Sequence, residues 1–191
     1  MANLKLNNVV ALNESSGAIT IADAVVFPAD HAIQILSANK TTAQTIAATS
    51  GNEWANVSDL TKAITPQTNS KVLVLLTLNV SGIADYQQHA RIVRTPAGGS
   101  ATPVGVGAVA GSKLGSTFSW RMSSTARMLN CSAQYLDESP GGNGSLAITY
   151  KVQVEGEGTA NIFINQTATE GADNATWSRT SSSITLIEIS A

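Results

Sequence analysis

Chemistry in this sequence would have to come from very few side chains. His31 and His89 are the only histidines and Cys131 is the only cysteine, which removes an intrachain disulfide and a cysteine-built zinc site. A metal site would need three or four ligands drawn from the histidines and carboxylates such as Asp30 and Asp85, and no close ligand spacing exists. The commoner use of such histidines is as ordinary polar or partly buried residues. Serines are abundant enough to complete a Ser-His-Asp set, but no GxSxG turn presents a nucleophile. Asp137, Glu138, Glu155 and Glu157 offer oxygens to calcium without the DxDxDG spacing that gathers several around one ion, so solvated hairpin charge is the competing reading. The stretch Gly105-Val106-Gly107-Ala108-Val109-Ala110 matches GxGxxA. A pyrophosphate there needs a strand before it and a helix N-terminus after it. Thr102-Pro103 precedes it and Ser112-Lys113 with Gly115 follows, which reads as a flexible loop.

Aromatic residues leave one further opening. Trp54, Trp120 and Trp177, with Tyr86, can stack on sugar rings, because an aromatic face offers apolar area beside polar loops. Trp120, Trp177 and Tyr86 are the candidate surface-recognition residues, and burial in a core or a subunit interface is the competing use. No catalytic residue, cofactor or metal ligand is nominated, and no enzymatic activity is expected.

The elements that would position these residues are strands. Charged residues form 13% of the 191-residue chain, about half the usual share, and abundant Ser, Thr, Asn, Gly and Ala with short apolar runs favour sheets. A net charge of −2 with scattered Lys and Arg gives no footprint for nucleic acid. The N-terminus MANLKLNN lacks a basic start and a continuous apolar core, so synthesis and folding in a cytosol are expected. The run Lys71 to Ile83 is apolar at each position from Val72 to Leu76 and then alternates. It is read as a strand covered on both faces, and it falls well short of the ~20 apolar residues of a membrane span. The cleanest alternation runs from Leu146 to Val154, and Glu155-Gly156-Glu157-Gly158 reads as a hairpin into Ile162 and Ile164.

Leu129 to Tyr135 alternates as a half-buried strand, Ile184 to Ile189 closes the chain, and Thr95 to Ser116 is loop broken by at most one weak strand. Ala32 to Leu36 is a short strand, Ser37 to Asn52 a loop or irregular edge, and Leu60 to Thr65 a strand. Regular turn signals between short strands, without a long helix, indicate an all-β fold: an antiparallel β-sandwich or barrel. The chain is long enough for one domain with an appended arm.

The segments Ile64-Thr65-Pro66, Ser70 to Val74, Tyr135-Leu136-Asp137, Ser139-Pro140, Thr149 to Gln153, Asn165 and Ser182 to Ile189 together resemble a domain common in virion proteins of tailed phages. Phe27-Pro28-Ala29-Asp30-His31 with Ile33-Gln34 is similar to the lead-in before that domain. The resemblance implies a jelly-roll-like β-sandwich head, residues 59–191, preceded by a short extended N-terminal arm and lead-in, residues 1–58. It implies a homotrimer on the virion surface, synthesised in the host cytoplasm, with the arm docked on a capsid or tail protein. Partners would be further copies, other virion proteins and a host surface glycan, with no nucleic acid and no membrane insertion. The function implied is a tail-fibre or tip protein in host attachment. The alternatives are a capsid decoration (cement) protein and a lectin-like carbohydrate-binding module.

Overall fold

The computed structural model describes residues 29–47, 53–169 and 178–191 in full, and the backbone pairing of three strands within residues 3–21. Those three are β1 (Asn3–Leu6), β2 (Val9–Ser15) and β3 (Ala18–Ile21), which pair as an antiparallel meander with Leu4, Leu12 and Ile21 in one cross-strand register. Phe27-Pro28, the start of the lead-in resemblance, lies outside the described residues.

The body is an antiparallel sandwich of two sheets. One contains β4 (Ala32–Lys40), β5 (Gln44–Ile46), β7 (Lys71–Gly82), β11 (Leu129–Asp137), β13 (Ile162–Ile164) and β14 (Ser182–Ile189). The other contains β6 (Ala55–Ile64), β8 (Gln87–Pro96), β9 (Thr102–Val104), β10 (Phe118–Arg121) and β12 (Ile148–Gly156). The chain passes between the sheets at β5 to β6, β6 to β7, β7 to β8, β10 to β11, β11 to β12 and β12 to β13. Repeated crossing of this kind makes the sandwich jelly-roll-like rather than a stack of meanders.

Strand β7 is the axis of the larger sheet. It pairs from Val72 to Val80 with β11 on one side, and on the other with β14 and then β13. Its inward residues Val72, Val74, Leu76, Leu78 and Val80 are 0 to 1% exposed. They meet Ile92, Tyr150, Val152, Ile184 and Leu186 in one apolar core. Its outward residues Leu73, Leu75, Thr77 and Asn79 are only half-buried. The expectation of a strand covered on both faces therefore holds for one face alone, and the apolar residues at Leu73 and Leu75 lie on an outer surface.

Two further expectations change. β4, β5 and β6 are integral to the sandwich, since β4 pairs with β14 from Ala32 to Lys40 and β6 pairs with β12. A boundary after residue 58 would cut β6 in half; the sandwich already includes Asp30, whose amide donates to the Ser190 carbonyl. The physical reason is that β4 supplies the neighbour that the closing strand requires. Glu155-Gly156-Glu157-Gly158 is also no hairpin, because β12 and β13 belong to different sheets and the turn carries the chain across the sandwich.

Polar clusters close the two ends. At one, Lys40 is 1% exposed and its Nζ donates to Ser58 Oγ at 2.7 Å, Thr42 Oγ1 at 3.1 Å and Asp59 Oδ2 at 3.3 Å. Beside it Asn165 donates to the Lys40 carbonyl at 2.9 Å and accepts from Ser182 Oγ at 2.7 Å. At the other, Asp137 of β11 accepts from Arg94 of β8 and from the hydroxyl of Tyr150 of β12, each at 2.8 Å. A carboxylate this buried is tolerated because charged and neutral donors both satisfy it.

Candidate functional site

A concavity with titratable lining lies on the outer face of the five-stranded sheet. Alternation along β8 sends Gln88 and Ala90 inward and leaves Gln87 and His89 outward. Register then places Ser119 of β10 on one side of His89 and Glu155 of β12 on the other. With Glu157, Ser112, Lys113 and Ser116 they line a pocket of about 400 Å³. Gln87 and Glu157 hold its rim reciprocally: the Gln87 amide donates to Glu157 Oε2 at 2.9 Å, and the Glu157 amide donates to the Gln87 carbonyl at 2.9 Å.

A row of Ser119, His89 and Glu155 has the composition of a nucleophile, base and orienting acid. Its geometry does not support that chemistry. His89 Nε2 stands 4.0 Å from Glu155 Oε2, beyond hydrogen-bond reach, and among the described residues no side-chain hydrogen bond joins Ser119 to His89. His89 Nδ1 and Glu155 Oε2 are buried without partners. Burial lowers the imidazole's pKa, offset in part by the Glu157 charge, and it raises the Glu155 carboxyl, reinforced by Glu157. A triad needs an ionised acid bonded to its histidine; here burial drives both groups toward their neutral forms. What the pocket offers is hydroxyl, carboxyl and ammonium groups.

The residues singled out from the sequence scatter. Trp120 is 4% exposed and belongs to the core, tilted 45° against Phe118 with ring centroids 6.1 Å apart. It presents no face to a ligand, because β10 turns it inward while Ser119 and Arg121 face out. Tyr86 is 42% exposed and immediately precedes Gln87 at the pocket rim. Trp177 lies outside the described residues. Trp54 is half-buried under the Arg91 guanidinium, 4.1 Å from its ring.

Asp137 is bonded to Arg94 and Tyr150, so the four late acidic residues do not converge. Among the described residues no group of three His, Cys, Asp or Glu is placed to hold a metal ion. His31 is exposed beside Ser190, far in the fold from the His89 row. GxGxxA follows the short β9 without a helix after it, as loop. The sequence signal missed was Phe118–Arg121, a four-residue strand whose alternation is too brief to detect alone.

No protein-family model matches the sequence, and no curated protein is significantly similar to it. Among solved structures, the chain is similar to that of the infectious bursal disease virus Gt strain at 10% identity and a TM-score of 0.42, covering 96% of this chain and 43% of that one. The Gx strain structure of the same virus aligns at 9% identity and 0.40, covering 100% and 46%. The virus's VP2 subviral particle aligns at 7% identity and 0.36, covering 96% and 43%. The chain spans less than half the length of those proteins, and so loose an overlap assigns it neither activity nor partners.

Proposed function

We propose that this chain is a structural, non-enzymatic protein of a virus particle's outer surface, of the capsid-decoration kind, acting as a self-associating β-sandwich. The observation that carries the reading is the outer face of the six-stranded sheet. Ile35, Ile187, Leu73 and Leu136 form one cross-strand apolar row there, with Ile35 63% and Leu136 38% exposed. Uncharged apolar area on a well-packed body is a surface for assembly. The resemblance to phage virion domains supports the same reading, with a homotrimer as the assembly and the N-terminal residues as the docking element on a capsid or tail protein.

The test uses particles lacking this protein. Purified full-length chain is expected to co-sediment with them and to add density over the capsid in electron cryomicroscopy. Density confined to the tail would replace decoration with a tail-fibre or tip role in host attachment, and no binding to either would remove the virion reading. That second role has its own supporting observation: Tyr86 is exposed and directly precedes Gln87, which lines the hydroxyl- and carboxyl-bearing pocket, and an exposed aromatic ring of this kind suits a host surface glycan. Saccharide arrays with Tyr86→Ala as control separate it from decoration.

A further inference from the structure

Among the described residues, each outer strand of the four-stranded run β4–β14–β7–β11 has one edge that no further strand pairs: β4 pairs only with β14 and β11 only with β7. Among the described residues no hydrogen bond reaches the free backbone edge of β11. Exposed edges of this length are normally blunted by lysine, proline or a bulge. β11 has none of these: Leu129–Asp137 contains neither Lys nor Pro and pairs with β7 through nine residues without a break in register.

Its inward side chains carry a second sign of a missing neighbour. Cys131, Ala133 and Tyr135 are half-buried, whereas their register partners Leu78, Leu76 and Val74 are 0 to 1% exposed. At the opposite edge Leu36 and Ala38 of β4 are likewise half-buried, and Ile35 faces outward at 63% exposure.

We infer that β11 of one copy adds antiparallel to β4 of a second copy, extending the sheet head to tail. This rests on the self-association proposed above and names the surface that performs it. β4 and β11 are each nine residues long and run in opposite directions, because three antiparallel pairings separate them. Continuing the existing rows of the sheet puts Leu136 beside Ile35 of the neighbour, Tyr135 beside Leu36, Gln134 beside Ser37, Ala133 beside Ala38 and Ser132 beside Asn39. Apolar meets apolar and polar meets polar in each of these pairs, on both faces of the sheet.

A two-fold pairing of β11 with β11 would leave β4 open. Head-to-tail pairing satisfies both edges in every copy and closes into a ring when successive copies are rotated about one axis.

The experiment is light scattering after size exclusion on the full-length chain. The wild-type protein is expected at a multiple of its 19.7 kDa mass. Gln134 and Ser37 are exposed, so substitution there spares the core. Gln134→Lys combined with Ser37→Lys sets like charges opposite each other and is expected to give monomer, whereas Gln134→Lys with Ser37→Glu restores the oligomer.

In a Cys131→Ser background, Leu136→Cys with Ile35→Cys is expected to form disulfides between copies on mild oxidation, and either cysteine alone is not. An oligomer indifferent to the charge pairs, or one cross-linked by Leu136→Cys alone, would overturn this pairing while leaving self-association standing. A wild-type monomer would overturn both, and particle binding is scored separately by co-sedimentation.

Discussion

Arg94 and Asp137 join the two sheets: Arg94 Nη1 lies 2.8 Å from both carboxylate oxygens of Asp137, which is 2% exposed. Arg94 comes from β8 and Asp137 from β11, and the same nitrogen also donates to the Ser139 carbonyl at 3.0 Å. Removing Arg94 strands the buried Asp137 carboxylate, a loss of about 3–5 kcal/mol. Arg94→Ala is therefore expected to lower the urea midpoint strongly. Tyr150→Phe removes one donor while Arg94 remains, and is expected to cost about 1 kcal/mol. Equal effects of the two variants at one protein concentration would contradict this hierarchy.

Glu155 makes stability depend on pH with a definite sign. Its folded pKa is raised by burial and by Glu157, so the folded state holds the proton more tightly than the unfolded chain. Its contribution is complete below the ordinary glutamate pKa and declines as pH rises through the raised value. Glu155→Gln removes this loss, and its melting temperature is expected to exceed that of wild type at neutral pH by more than at pH 4. His89 acts oppositely: its lowered pKa costs stability as pH falls from the ordinary histidine value through the folded one. His89→Gln is expected to flatten that acid limb.

Asn165 adopts a left-handed backbone, φ 59°, at a fully buried position that binds Lys40, Thr42 and Ser182. Asn165→Ala loses the bonds and keeps the strained backbone, an expected cost of about 2–4 kcal/mol. Asn165→Gly relieves only the strain, so denaturation should rank wild type above glycine and glycine above alanine.

Two glycines separate crowding from flexibility. A Cβ on Gly142 would overlap the Pro66 carbonyl oxygen, which is backbone and accepts the Gly144 amide at 2.8 Å. Gly107 has open space around it and an unremarkable φ. Gly142→Ala is expected to destabilise by about 1–3 kcal/mol. Gly107→Ala should fall within about 0.5 kcal/mol of wild type, as read from thermal melts.

Truncation tests the N-terminal residues. Removal of residues 1–28 spares β4 and the Asp30 hydrogen bond to Ser190. The truncated chain is expected to keep its β-sheet circular dichroism and its oligomer while losing particle binding. A cut at residue 35 would remove the first half of β4 and is expected to unfold the edge of the sheet as well.

The all-β class and the long strands were legible in the sequence because alternation and turn residues are local properties. Lys71 to Ile83, Leu146 to Val154 and Ile184 to Ile189 announce β7, β12 and β14, although β12 begins only at Ile148 and β14 already at Ser182. β6 was harder to read. Val57 and Leu60 both point inward although they are three positions apart, since an irregularity in pairing with β12, with Asp59 at φ 64°, resets the phase of the strand.

Sheet membership is non-local. The Glu155–Gly158 turn looks like a hairpin because its composition permits one; only packing sends β12 and β13 to different sheets. Trp120 is equally apolar in a core or on a sugar-binding surface, and the pairing of β10 with β8 decided that it turns inward. His89, Ser119 and Glu155 are separated along the chain and share a row only because two registers align them. The open edges of β4 and β11 follow from strand order, which no periodicity encodes.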